Sequence, residues 1–96
     1  MDRIFKDRVK NILNHAELME KLADIEHKRW SGWQKYLHGL CTKNKDGSLT
    51  ISKDRVEHWE WEIATSYFDL PDNIKQHDRN EVEKTLKCIL DYMNNR

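Results

Sequence analysis

Four stretches of the chain repeat apolar residues every three or four positions, the period of a helix with one face turned to a core. Asp2 to Asn14 places Ile4, Phe5, Val9, Ile12 and Leu13 on one face. Ala16 to Cys41 carries Leu18, Leu22, Ile25, Trp33, Leu37 and Leu40 in a single stripe. Ser52 is a natural N-cap for a third helix reaching Thr65, with Val56, Trp59 and Ile63 inward. Pro71, welcome at a helix start, opens a fourth helix to Met93 that buries Val82, Leu86, Ile89, Leu90 and Met93. Between the second and third helices, Asp46-Gly47 lies between short Thr- and Ile-containing runs. That pattern predicts a two-residue β-hairpin or an ordered loop. The fold class is therefore all-α: one small helical domain over residues 1–96, with four helices and a short hairpin near Asp46-Gly47.

Composition sharpens this picture in three ways. One proline and three glycines in 96 residues leave helix as the dominant state. Seventeen basic and 17 acidic side chains cancel, which argues against general nucleic-acid binding and against a membrane-surface role. Four Trp, three Tyr and two Phe set a polar, 35% charged chain apart from disordered sequences. So short a chain buries only about 60–65% of its unfolded surface, so association would cover aromatic surface that a small core cannot hide. The expectation is a closed homo-oligomer such as a dimer, with the first helix and Trp61 as contacts. Trp61 falls off the third stripe and either covers the hairpin or anchors a partner. The N-terminus has no apolar run of the kind a signal peptide or membrane span needs, and Cys41 and Cys88 make no disulfide framework. A cytoplasmic location follows as the expectation.

Charges also fall where a core should be. Glu26 and Arg29 lie inside the apolar arc of the second helix, and Lys75, Asp78 and Arg79 extend the stripe of the fourth. Such charges must pair or meet something polar. One reading is a structural ion-pair network of Glu26, Arg29, Asp78 and Arg79, with Glu26 facing Arg79 and Arg29 facing Asp78. The other is a polar pocket walled by Trp30, Trp33 and Tyr67, since aromatic faces beside arginine suit a planar base bearing a phosphate or ribose. Both can hold at once. His38 and Cys41 form half a metal site with no second tight pair, so no metal is expected. A calcium loop fails on register, because Thr42 and Lys53 would stand where acids are required. His27 has the chemistry of a general base, but no nucleophile motif or Gly-rich phosphate loop accompanies it. No enzymatic activity and no cofactor are expected.

Glu26-His27-x-x-Trp30 followed by Trp33 resembles the opening motif of the RyR domain, the ryanodine-receptor repeat also found in bacterial and phage proteins. Ala64-Thr65-Ser66-Tyr67-Phe68-Asp69-Leu70-Pro71, then Asp78-Arg79 and Val82, is similar to that family's small polar stretch, Tyr, Leu-Pro, charged helix and Asp-Arg. The likeness covers about Leu22 to Leu90 and is nearest to the compact single-repeat phage versions. The chain departs from the family where Ala64-Thr65-Ser66 replaces a Pro-Cys pair and where a longer Asp-Gly loop and a Trp59/Trp61 helix fill the middle. The resemblance implies a non-catalytic helical module for a nucleotide-derived small molecule. A free-standing repeat of phage type would sequester a host immune signal, a cyclic nucleotide or ADP-ribose-type messenger, in the host cytoplasm. On that reading His27, Trp30, Trp33, Thr65, Tyr67, Lys75 and Arg79 bind the ligand, and Glu26 orients Arg79. The alternative is a protein-interaction or oligomerisation domain with no small-molecule ligand.

Overall fold

A computed structural model describes residues 2–95. Their element order is α1 (Arg3–Leu13), α2 (Ala16–Leu40), β1 (Thr42–Lys43), β2 (Leu49–Thr50), α3 (Lys53–Ala64), a single 3₁₀ turn (Tyr67–Asp69) and α4 (Asp72–Asn94). The expected all-α class with one small hairpin is what forms. The residues divide into two compact units, one built from 2–29 and 80–95, the other from Trp30–Arg79.

Local chemistry sets the helix ends. The Asp2 carboxylate accepts from the Phe5 N–H at 2.8 Å and starts α1. Ser52 caps α3 through Arg55, as its side chain predicts. The Pro71 carbonyl accepts from Ile74 and Lys75, so Pro71 stands one residue before α4 rather than inside it. His15 caps α2 in an uncommon way: its Nδ1 accepts from the Glu17 N–H at 3.3 Å.

The hairpin is longer than a two-residue turn. Thr42 pairs with Thr50 and Lys43 with Leu49, which leaves residues 44–48 in the loop. A type I′ turn needs two consecutive residues at positive φ, and only Gly47, at φ 88°, adopts one. The Gly47 N–H instead closes a turn on the Asn44 carbonyl, with Lys45 and Asp46 at its centre. The Asp46 carboxylate accepts from the Ser48 N–H and hydroxyl at 2.9 and 2.6 Å. Those bonds hold its pKa below the ordinary carboxylate range.

In the first unit the two deeply buried side chains are Leu18, 1% exposed, and Tyr92, 5% exposed. Leu22 and Ile25 continue the expected α2 stripe and are half-buried. On α4 the expectation is overturned. Val82, Leu86 and Leu90, placed in the core by periodicity, are 54%, 55% and 58% exposed, and Met93 is exposed as well. The inward line of α4 is Glu81, Thr85, Cys88 and Tyr92, with Ile89 half-buried at its margin. A similar rotation affects α3, where Arg55, Trp59 and Glu62 are half-buried while Val56 and Ile63 face outward.

Tyr92 explains part of the α4 orientation. Its hydroxyl lies 2.5 Å from His15 Nδ1, and the two rings are 5.8 Å apart. Nδ1 thus serves as acceptor for both the tyrosine hydroxyl and the Glu17 N–H, which places the ring proton on Nε2. Burying a tyrosine requires that its hydroxyl find such a partner. Tyr92→Phe is expected to lower unfolding stability by about 0.5–1.5 kcal/mol in urea titrations, with helicity retained. Tyr92→Ala is expected to cost about 3–5 kcal/mol, because it also opens a cavity.

Candidate functional site

The embedded charges of the first unit organise around Arg29, which sits eleven residues after Leu18 on the inward stripe of α2 and has a side chain 30% exposed. Its Nε donates to the Glu81 carboxylate at 3.0 Å, and its remaining nitrogens reach the Glu81 carbonyl at 2.9 Å, the Thr85 hydroxyl at 3.1 Å and the Glu26 carboxylate. A planar guanidinium offers five donors in a fixed fork, and four acceptors now engage it. The expected partner, Asp78, is exposed and, among the described residues, joins no ion pair. Glu81, three residues further along α4, takes its place. The expected role of Glu26 changes too, since its carboxylate holds Arg29 within the same helix. Lys84 adds a second cation at 2.9 Å from Glu81. Lys84 first, and Arg29 second, hold the Glu81 carboxyl below its ordinary pKa.

Arg79 belongs to the second unit and has its own partners. It donates to Asp72 at 2.9 Å and to the Gln76 side-chain oxygen at 3.3 Å. Asp72 and then Tyr67 hydrogen-bond the guanidinium and raise its pKa further. The Lys75 ammonium stands 5.6 Å from the centroid of the Tyr67 ring, a cation–π distance. Phe68 meets Tyr67 edge-on at 5.5 Å and is otherwise largely exposed. Tyr67, Lys75 and Arg79 are therefore brought together, on the 3₁₀ turn and the first two turns of α4.

The other proposed ligand residues are placed differently. Trp33 packs edge-on to Trp59 at 5.8 Å and tilted on Tyr36 at 5.6 Å, so its contacts are an aromatic cluster rather than Tyr67. Trp30 is more than half exposed. The Thr65 hydroxyl donates to the Trp61 carbonyl at 2.6 Å, ending α3, and keeps only its acceptor capacity for anything else. His27 is exposed and belongs to the first unit. Trp61 stacks at a tilt on His58, 5.7 Å away, and His58 pairs with Glu62 at 2.9 Å. Asp72 was missed at the sequence level, although an acid in a first helical turn seven residues before an arginine is a readable signal.

Remaining chemistry is sparse. Cys41 donates its thiol to the Leu37 carbonyl, and both cysteines are free and half-buried. Among the described residues no group of three or more His, Cys, Asp or Glu side chains is arranged to hold a metal ion. Among the described residues no helix is long and apolar enough to cross a membrane. A shallow groove of about 780 Å³ lies in the first unit, over Ile25, Cys88 and Tyr92, and its rim carries lysines and acids in matched numbers. No protein-family profile, curated protein or solved structure matches the chain.

Two outcomes follow from the Arg29 network. Arg29→Ala removes the charged partner of Thr85 and of the Glu81 carbonyl, leaves Glu81 only Lys84, and is expected to cost about 1.5–3 kcal/mol in chemical denaturation, the scale of hydrogen bonds to charged groups. The lowered Glu81 pKa stabilises the fold above the ordinary glutamate range, and that contribution is lost as pH falls through the folded-state value. Stability should therefore drop more steeply below about pH 4.5 in the parent than in Glu81→Gln, as read from thermal melts across pH. Parallel curves would exclude the pairing.

Proposed function

We propose that the chain is a non-catalytic binding module for a nucleotide-derived small molecule, held at Tyr67, Lys75 and Arg79. The observation that carries this reading is the Lys75–Tyr67–Arg79 assembly beside the start of α4. Tyr67 offers an aromatic face, Lys75 is a cation with no ion-pair partner among the described residues, and Arg79 is paired with Asp72. A base stacks on the first and a phosphate pairs with the other two. Asp72 occupies the guanidinium edge that a phosphate would take, so ligand binding exchanges one anion for another. The positive end of α4 adds to the attraction. The RyR-domain likeness supports the same class of ligand, a cyclic nucleotide or ADP-ribose-type messenger, and a sequestering rather than signalling role for an isolated repeat.

A second reading, a protein-interaction module, is favoured by the outward apolar side of α4, since large exposed apolar patches mark interaction sites. The two are separated by direct capture. The protein is incubated with a panel of linear and cyclic nucleotides, repurified, denatured, and the released molecules identified by mass spectrometry. The expected result is one class of nucleotide recovered unaltered. Converted product would contradict the non-catalytic assignment, and no capture at all would leave the interaction reading alone. For the captured nucleotide, Tyr67→Ala should weaken binding by about 1–3 kcal/mol in calorimetry with an unchanged melting temperature. Asp72→Asn should strengthen it, because Arg79 is released to the phosphate.

A further inference from the structure

Of the three glycines, Gly47 alone follows an aspartate or asparagine, and it stands in the loop between β1 and β2. An Asp-Gly peptide is chemically vulnerable, because glycine has no side chain to shield its nitrogen from the neighbouring carboxyl group. The Gly47 nitrogen attacks Asp46 Cγ and forms an N–Cγ bond. The Cγ–OH bond breaks, and the hydroxyl leaves with the amide proton as one water. The product is a five-membered succinimide. Water then adds at the main-chain carbonyl of Asp46 and breaks its bond to the Gly47 nitrogen, so the chain now runs through Cγ as isoaspartate. One water out and one water in leave the mass unchanged. We propose that Asp46-Gly47 is a latent modification site of this kind, held closed by the hairpin's own hydrogen bonds and isomerising when the hairpin opens.

Three features of the loop oppose the reaction. The attacking nitrogen is engaged, since the Gly47 N–H donates to the Asn44 carbonyl at 3.1 Å and must give up that bond first. The carboxyl group is held as its anion, because the Ser48 N–H and hydroxyl donate to Asp46 Oδ1 at 2.9 and 2.6 Å. A carboxylate has no hydroxyl to expel and is a poor electrophile. Backbone geometry is the third. The turn is closed by a hydrogen bond and neither Lys45 nor Asp46 has a positive φ, which makes it type I. The second central residue of such a turn has ψ about 0°, whereas ring closure needs Cβ eclipsed with the Gly47 nitrogen, roughly 120° away. Asn44 buttresses the arrangement, its Nδ2 donating to Ser48 Oγ at 3.0 Å and to Thr50 Oγ1 at 2.9 Å. Ser48 Oγ therefore accepts from Asn44 and keeps its proton for Asp46.

All of these bonds lie within residues 44–50, so the inference does not rest on the nucleotide reading. Isoaspartate lengthens the main chain by one methylene. Hairpin register is set by turn type and loop length, so the Thr42–Thr50 and Lys43–Leu49 pairs no longer meet across the altered loop. Each opening that ends in isomerisation is thereby recorded in the chain.

The test is to age the full chain at neutral pH, folded in buffer and unfolded in guanidinium chloride, and to quantify isoaspartate at position 46 by peptide mapping. The folded chain should isomerise at least about tenfold more slowly, the factor that about 1.4 kcal/mol of hydrogen bonding supplies. Equal rates would overturn the proposal. Ser48→Ala removes the hydroxyl donor and should raise the folded-state rate severalfold. A Ser48→Ala protein that isomerises no faster than the parent overturns the guarding role. Lys45→Pro places proline where a type I turn favours it and should lower the rate below that of the parent. In that variant isomerisation should follow Gly47 amide hydrogen exchange, which reports opening of the turn, whichever way exchange moves. A rate that does not follow exchange overturns the proposal. Asp46→Glu, whose longer side chain closes a ring far more slowly, should abolish the signal. A signal that persists comes from another position and overturns the assignment to Asp46-Gly47.

Discussion

The Arg29 guanidinium is the constraint on which the α4 arrangement depends. It sits on the inward stripe of α2, where a charge without partners would cost several kcal/mol in lost solvation. Its planar fork demands acceptors in fixed directions, and α4 supplies three of them: the Glu81 carboxylate, the Glu81 carbonyl and the Thr85 hydroxyl. Once those atoms face Arg29, the rotation of α4 about its axis is set. Tyr92, eleven residues after Glu81 and so on the same line, is carried inward and needs a partner for its hydroxyl. His15 provides one while capping α2. A polar seam at one end and a tyrosine–histidine bond at the other therefore fix one helix face.

The outward stripe is the consequence. An α-helix cannot turn both Glu81–Thr85–Tyr92 and Val82–Leu86–Leu90 toward the same neighbour. Satisfying buried polar groups takes precedence over burying aliphatic ones, because an unpaired charge costs more than a leucine gains. The apolar face is left exposed. The polar seam gives specificity within the chain.

Much of this was legible in the sequence. Helix number, the Ser52 cap, the α2 stripe and the anomaly of Arg29 within it all follow from residue type and period. The face of α4 was not legible, because periodicity selects the arc richest in aliphatic residues, and on α4 that arc is the outer one. Choosing correctly required the tertiary pairing of Arg29 with Glu81, which period alone does not give. The proposed ligand residues divide for a related reason. Tyr67, Lys75 and Arg79 are close in sequence and are brought together by a 3₁₀ turn running into a helix. Trp33 and Thr65 are drawn away by local partners, Trp59 and the Trp61 carbonyl. Within the hairpin, the Asp46–Ser48 bonds and the single positive φ at Gly47 outweigh the two-residue turn that Asp-Gly favours.

The central claim is that α4 turns its polar line inward and its apolar stripe outward. Covalent footprinting with a short-lived radical or carbene, carried out over a dilution series, tests it most directly. Tyr92 is expected to stay protected at every concentration, while Leu86, Leu90 and Met93 label strongly at high dilution. Protection of Leu86, Leu90 and Met93 at the lowest concentration, together with labelling of Tyr92, would contradict it and return the aliphatic stripe to the core of the chain.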